Sequence, residues 1–319
     1  MDLRGIWQLI QGTIQEWNRD NASRLAAALA YYTIFSLAPV LILVVAIAGF
    51  FFGEEAAQGE IVSQIQGLVG RSGAEVIQTA IENANRPGEN SGVIATLVGV
   101  AILLFGATGM FVQLQDSLNV VWNVQPRPGR GIRNFARKRL LSFAMIVGIG
   151  FLLLVSLVVS ALLSGLSAYV QQVFSGFETL LQLVNFAISF VVITLLFGLI
   201  YKYIPDVKIE WGDVWIGSAL TALLFSLGKY LIGLYLGNSS FSSTYGAAGS
   251  LVALLAWIYY SSQILFLGAE FTQVYARQYG SQIVPDENAM RIDRAPGENQ
   301  LPAESGRSPS SRSRDRRRP

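Results

Sequence analysis

The chain contains no cysteine and no histidine. The first absence removes disulfide frameworks and thiolate metal sites. The second removes imidazole metal ligands, Ser-His-Asp triads and histidine general bases. Charge is scarce as well: Asp, Glu, Lys and Arg make up 14% of the residues, against about 25% in an ordinary soluble domain. The sequence has no GxxxxGK[ST] phosphate loop, no HExxH and no GxSxG. Covalent chemistry would have to run on carboxylates, Lys, Arg, Tyr or hydroxyls. The expectation is a protein that is not an enzyme and carries no cofactor and no metal.

Apolar residues are abundant instead. They form 52% of the chain, with a mean hydropathy of +0.45, and they fall in long blocks. A run of roughly 18 or more apolar residues spans about 30 Å of hydrocarbon as a helix. Six blocks qualify, at about 26–52, 93–114, 140–163, 180–201, 214–236 and 247–271. The expected fold is all-α: a polytopic membrane protein of six transmembrane helices with short interfacial helices.

Lys and Arg concentrate in cytoplasmic loops. The segment "QPRPGRGIRNFARKRLL" after the second block carries Arg127, Arg130, Arg133, Arg137, Lys138 and Arg139 and is placed inside. The loop at 53–92 carries Glu54, Glu55, Glu60, Glu75, Glu82 and Glu89 against Arg71 and Arg86, and is placed outside. Lys202 and Lys208 mark the fourth-to-fifth connection as inside. With six crossings both termini are cytoplasmic, and 20 of the 23 Lys and Arg lie inside.

Residues 1–22 do not resemble a cleavable signal peptide. In "LRGIWQLIQGTIQEW", Leu3, Ile6, Trp7, Ile10, Ile14 and Trp17 recur at steps of three and four. That stripe suits an amphipathic helix lying in the membrane interface or packed on the protein itself. The long outer loop shows two short apolar stripes separated by "GRSG" and reads as two short helices. The six-helix domain runs over 23–280. From 281 to 319 Pro, Ser, Gly and Arg dominate, which reads as a disordered cytoplasmic tail.

Three ionisable residues fall in or at the edge of spans: Asp116, Lys229 and Glu270. Asp116 and Glu270 lie toward inner ends, where an interfacial carboxylate paired with arginine is the plain reading. Lys229, in "TALLFSLGKYLIGLYLG", falls slightly beyond the midplane, where a charge is costly. It could face a substrate or water cavity, snorkel to the outer interface, or sit buried as a neutral amine. Tyr31, Tyr32, Ser36 and Tyr245 are further candidates for lining such a cavity. Gly106, Gly109, Gly228, Gly233, Gly237 and Gly246 are candidates for close helix packing. The carboxylates Asp206, Glu210 and Asp213 are interleaved with Lys208 and read as an interfacial stretch, not a two-metal site.

The stretches "AAALAYYTIFSLAPVLILVVAI", "FGATGMFVQLQDSLNVVW", "YIPD" and "STYGAAGSLVALLAWIYYSSQILFLGAEFTQVYAR" resemble the YihY/virulence factor BrkB family over about residues 10–280. The resemblance implies a six-helix protein of the bacterial cytoplasmic membrane. Some family members have carried a ribonuclease BN label, others a link to serum resistance or envelope lipids. On this chain the motif positions include Tyr31, Tyr32, Ser36, Pro39, Asp116, Asn119, Trp122, Pro205, Asp206, Gly228, Lys229, Tyr245, Gly246, Trp257, Gly268 and Glu270. The resemblance assigns none of them a catalytic role.

The first functional expectation is therefore a transporter, or a protein that handles a lipid or an anionic solute in the envelope, with Lys229 as the anion-facing group. A non-transporting membrane scaffold is the alternative, and a membrane-bound ribonuclease the third reading. The expected partners are membrane lipids and an anionic small molecule or lipid head group. No nucleic acid is expected, and a homo-oligomer is compatible with the sequence.

Overall fold

The computed structural model of the chain describes residues 2–53, 93–127, 178–238, 247–281, 283–287 and 289–292, with isolated positions between 58 and 79 and residue 148. Among them are six helices: α1 (Leu3–Arg19), α2 (Ala22–Phe52), α3 (Val93–Val121), α4 (Glu178–Tyr203), α5 (Trp211–Asn238) and α6 (Ala247–Gln278). The five long ones overlie five of the six apolar blocks. The block at 140–163 and most of the loop at 53–92 lie outside the described residues. Phe186–Tyr203, Trp211–Leu231 and Leu251–Gln278 are each long and apolar enough to cross a membrane. A helix suits that setting because it satisfies its backbone donors and acceptors internally.

Several helices outrun their apolar blocks. α3 continues to Val121, past the expected end at 114, and α6 continues to Gln278, past 271. The reason is the same in both. Gln115, Ser117 and Asn119 on α3 and Thr272 and Gln273 on α6 are polar but buried, so each helix goes on while hydropathy falls. α1 ends at Arg19, Asp20 caps it, and Asn21, with φ 51° in the left-handed region, turns the chain into α2. Asparagine is one of the few side chains that visit that region readily.

The helices pack around α6, which lies against α1, α2 and α5 and also meets α3; α2 packs on α3 and α4 on α5. The largest apolar cluster joins Ala26, Phe111, Leu118, Trp122, Tyr201 and Phe266. A smaller one links Ala30 and Leu41 of α2 to Leu254 and Ile258 of α6. Pro39 sits inside α2. A Cβ at Gly106 would come within 2.9 Å of its Cγ, so the glycine leaves the room that the proline ring occupies.

The all-α expectation needs correcting at one end of the bundle. There β1 (Val124–Pro126) pairs antiparallel with β4 (Ala289–Arg291), and β2 (Val207–Lys208) pairs antiparallel with β3 (Val284–Pro285). Where α3 and α4 stop, the extended chain presents backbone groups that need partners, and the segment after α6 supplies them. Asp286 N–H also donates to Asp206 O (2.9 Å), and Ile292 N–H to Asn123 O (2.8 Å). The described strands β3 and β4 thus lie beyond 281, where the sequence reads as a disordered tail. Residues 293–319 lie outside the described ones.

Candidate functional site: an acidic interior around the last helix

Two pairs of small residues set the distance between α5 and α6. Gly217 and Thr221 are four residues apart on α5, Gly268 and Thr272 four apart on α6. A Cβ at Gly217 would collide with Thr272, and one at Gly268 with Thr221. Each threonine therefore occupies the dent left by the other helix's glycine. Each also donates back to its own helix, Thr221 Oγ1 to Gly217 O (2.7 Å) and Thr272 Oγ1 to Gly268 O (2.6 Å). Small residues permit this backbone approach where water supplies no drive to association. Tyr201 of α4 joins the seam, with Oη 3.0 Å from Thr221 Oγ1 and donating to Leu265 O at 2.7 Å.

That close approach buries most of α6 near its end. Phe266, Ala269, Thr272 and Val274 are wholly enclosed, and so is Glu270, at 0% exposure. Gln273 follows one turn later on the same face, 3% exposed. Among the described residues its Oε1 has no hydrogen-bond partner. Glu270 lies eight residues before the end of α6, about 12 Å along the axis.

Among the described residues, every charged side chain that is buried is a carboxylate: Glu16, Asp20, Asp213 and Glu270. Some have defined partners. Arg277 Nη1 lies 3.0 Å from Glu16 Oε1, and Arg19 Nη1 lies 3.6 Å from Glu16 Oε2. Asp213 Oδ2 accepts from Ser281 N–H (2.9 Å) and Ser281 Oγ (2.7 Å). The half-buried Asp206 accepts from Gln115 Nε2 (3.2 Å) and Asn119 Nδ2 (2.9 Å). Lys202 donates to Ile209 O, and its ammonium lies 5.7 Å from the Trp211 ring centroid. No group of three metal-ligating side chains occurs among the described residues.

The expected site residues divide. Glu270 is in the interior. Lys229 is exposed beside the exposed Leu227, Tyr230 and Leu231. Its neighbour Gly228 meets α6 at Tyr260 and Ile264, six residues before Glu270 in the sequence. The ammonium and the buried carboxylate thus differ in both face and level. Asp116 is exposed on α3 between the buried Gln115 and Ser117.

Tyr32, Ser36 and Gly109 come together between α2 and α3. A Cβ at Gly109 would stand 3.3 Å from Ser36 Oγ and 3.7 Å from Tyr32, and Met110 N–H donates to Ser36 Oγ at 3.2 Å. Tyr31 points outward, edge-on to Tyr32 with ring centroids 5.7 Å apart. Gly233 and Gly237 fall on α5. Tyr245 and Gly246 lie outside the described residues.

Sequence reading passed over Gln115, Gln273, Glu16 and Asp20. The available signals were the polar pair Gln115 and Asn119 at a helical spacing of four, and the Gly-x-x-x-Thr repeat in both α5 and α6.

The stretch of sequence that forms these helices and ladders matches a known family. The profile of the family described as Virulence factor BrkB matches residues 13–293. The chain belongs to the virulence factor BrkB family. Similar proteins include the UPF0761 membrane protein of Verminephrobacter eiseniae, 29% identical over 273 residues, which make up 83% of this chain and 62% of that protein. The UPF0761 membrane protein of Pseudomonas aeruginosa strain LESB58 is 30% identical over 260 residues, 78% of this chain and 58% of its own length. That of Azotobacter vinelandii is 29% identical over 262 residues, covering 79% and 59%. The chain therefore spans about three fifths of the length of these relatives (62%, 58% and 59%). No solved structure matches it. BrkB-family membership, bacterial relatives named as membrane proteins and helices of membrane-crossing length together make this a membrane protein of that family.

Proposed function

We propose that the chain is a six-span protein of the bacterial cytoplasmic membrane, with both termini inside, that moves a solute or a lipid through its interior and catalyses no covalent reaction. The observation that carries this reading is the complete burial of Glu270 in a helix of membrane-crossing length. An ionisable group in such a place is expensive, and in membrane helices such groups commonly mark the path of an ion or a substrate. Among the described residues the buried charged side chains are carboxylates, and this supports a cationic group, such as a proton, a metal cation or a head-group amine. The anion-centred reading leans on Lys229, which is exposed among the described residues. The non-enzymatic reading is supported by Asp206 and Asp213, whose carboxylates are engaged in joints between segments.

The test is flux through the full-length protein in liposomes. Two probes report on it: a dithionite-quenchable fluorescent phosphatidylethanolamine and an entrapped pH indicator. Wild-type protein is expected to move at least one of them, and Glu270→Gln to abolish the movement while inserting at normal abundance. Absence of both movements in the wild type would sink the transport reading. Loss in Lys229→Met with retention in Glu270→Gln would return the site to the lysine. A non-transporting scaffold is the second reading, favoured by the paired strands that fix a platform on one end of the bundle. It predicts stable co-purifying partners and no flux.

A further inference from the structure

α1 has three faces, each with its own environment. At about 100° per residue, Leu9, Thr13, Glu16 and Asp20 share one stripe, and all four are buried. This stripe meets the last turns of α6. A Cβ at Gly12 would stand 3.1 Å from Val274 and one at Gly5 2.8 Å from Tyr279 Oη, while Arg277 bonds Glu16. Roughly a quarter turn away on the helical wheel, Ile6, Trp7, Ile10 and Ile14 form a second arc. They are exposed by 44%, 60%, 43% and 52%. Arg4, Gln8, Gln11, Gln15 and Arg19 form a third arc, also exposed and wholly polar.

A helix packed only on its own protein has two faces, one apolar and buried, one polar and wet. In α1 the buried stripe is largely polar, and the apolar arc at Ile6, Trp7, Ile10 and Ile14 stays about half exposed among the described residues. The position of α1 tells what covers that arc. It docks where the membrane-length stretch Leu251–Gln278 ends, which is the depth of the head groups. There a helix lying flat presents apolar side chains to the acyl boundary and polar ones to water. The exposed charges within α1 are Arg4 and Arg19, both of the sign that anionic lipid attracts.

We infer that the Ile6, Trp7, Ile10 and Ile14 face of α1 is a lipid-binding surface, seated in the head-group layer of an anionic leaflet. The adjoining buried stripe holds the end of α6 at that depth. This goes beyond the transport reading and does not depend on it.

Because the chain has no cysteine, single-cysteine variants of the full-length protein can be spin-labelled cleanly. The probes are vesicles of phosphatidylcholine with or without phosphatidylglycerol, and collision with oxygen or a water-soluble nickel chelate. Labels at 6, 7, 10 and 14 are expected to favour oxygen, and labels at 8, 11 and 15 to favour nickel, inverting the collision ratio between the sets. The oxygen preference at 10 and 14 should deepen with phosphatidylglycerol, and Arg4→Gln should reduce that gain. Equal nickel access in both sets would overturn the inference. So would shielding of the apolar set from both reagents, the result expected of a protein partner or a second copy. An oxygen preference unchanged by phosphatidylglycerol would overturn the anionic assignment. Positions 10 and 14 keep the test decisive should Trp7→Cys fail to fold.

Discussion

Asn119 and Asp206 bond each other twice. Asn119 Nδ2 donates to Asp206 Oδ2 (2.9 Å), and Asp206 N–H donates to Asn119 Oδ1 (2.8 Å). The pair ties the end of α3 to the turn after α4, 87 residues away in the chain. Gln115, one turn earlier, adds a third bond to the same carboxylate. The first consequence concerns stability. Asn119→Ala removes two bonds and leaves Asp206 short of donors, so a loss of about 1–3 kcal/mol is expected. Thermal unfolding of the purified protein measures it. A double-mutant cycle with Asp206→Ala should show coupling, because each change breaks the same joint.

The glycine–threonine seam makes a steric prediction. Gly217→Ala drives a Cβ into Thr272 and should cost about 1–3 kcal/mol by overpacking. Thr272→Gly in the same chain reopens the dent and should recover part of that loss. Additive losses in the double variant would show that the two positions do not interlock.

The strands after α6 predict where truncation is tolerated. Removing residues beyond 292 leaves both ladders intact, and unfolding is expected to be unchanged. Ending the chain after 281 deletes β3 and β4 and exposes the edges of β1 and β2. Lower thermal stability and faster proteolysis near 124–127 and 206–210 should follow. Equal stability of the two truncations would mean that the ladders hold nothing.

The six-span topology is testable with the same cysteine-free background. A cysteine at Ser308 or Arg130 should resist an impermeant maleimide in right-side-out vesicles, and one at Ser239 should react. Labelling of position 130 from outside would break the proposed orientation.

The five long described helices were legible in the sequence because uninterrupted apolar blocks admit one reading at those lengths. What stayed hidden was how their ends are joined. Gln115 and Asn119 lower the hydropathy of α3, so a hydropathy boundary falls before them, yet they are buried because a distant aspartate accepts their hydrogen bonds. Strands of two or three residues leave no periodicity at all. β2 and β3 exist because α4 and α6 bring their trailing ends side by side, and that follows only from packing. Lys229 stands out in the sequence as a charge in an apolar run. The deeper burial belongs to Glu270, whose neighbours in sequence, Gly268 and Thr272, look ordinary until α5 is set against them.

The order of these joints along the chain has a consequence for biogenesis. Strands β3 and β4 follow the final helix, so they leave the ribosome after every other described element. Until then the trailing ends of α3 and α4 carry unpaired edges facing the cytosol in the proposed orientation. In that orientation the bundle is inserted first and fastened last, and a released chain that ended before residue 284 would have its inner seam unsewn.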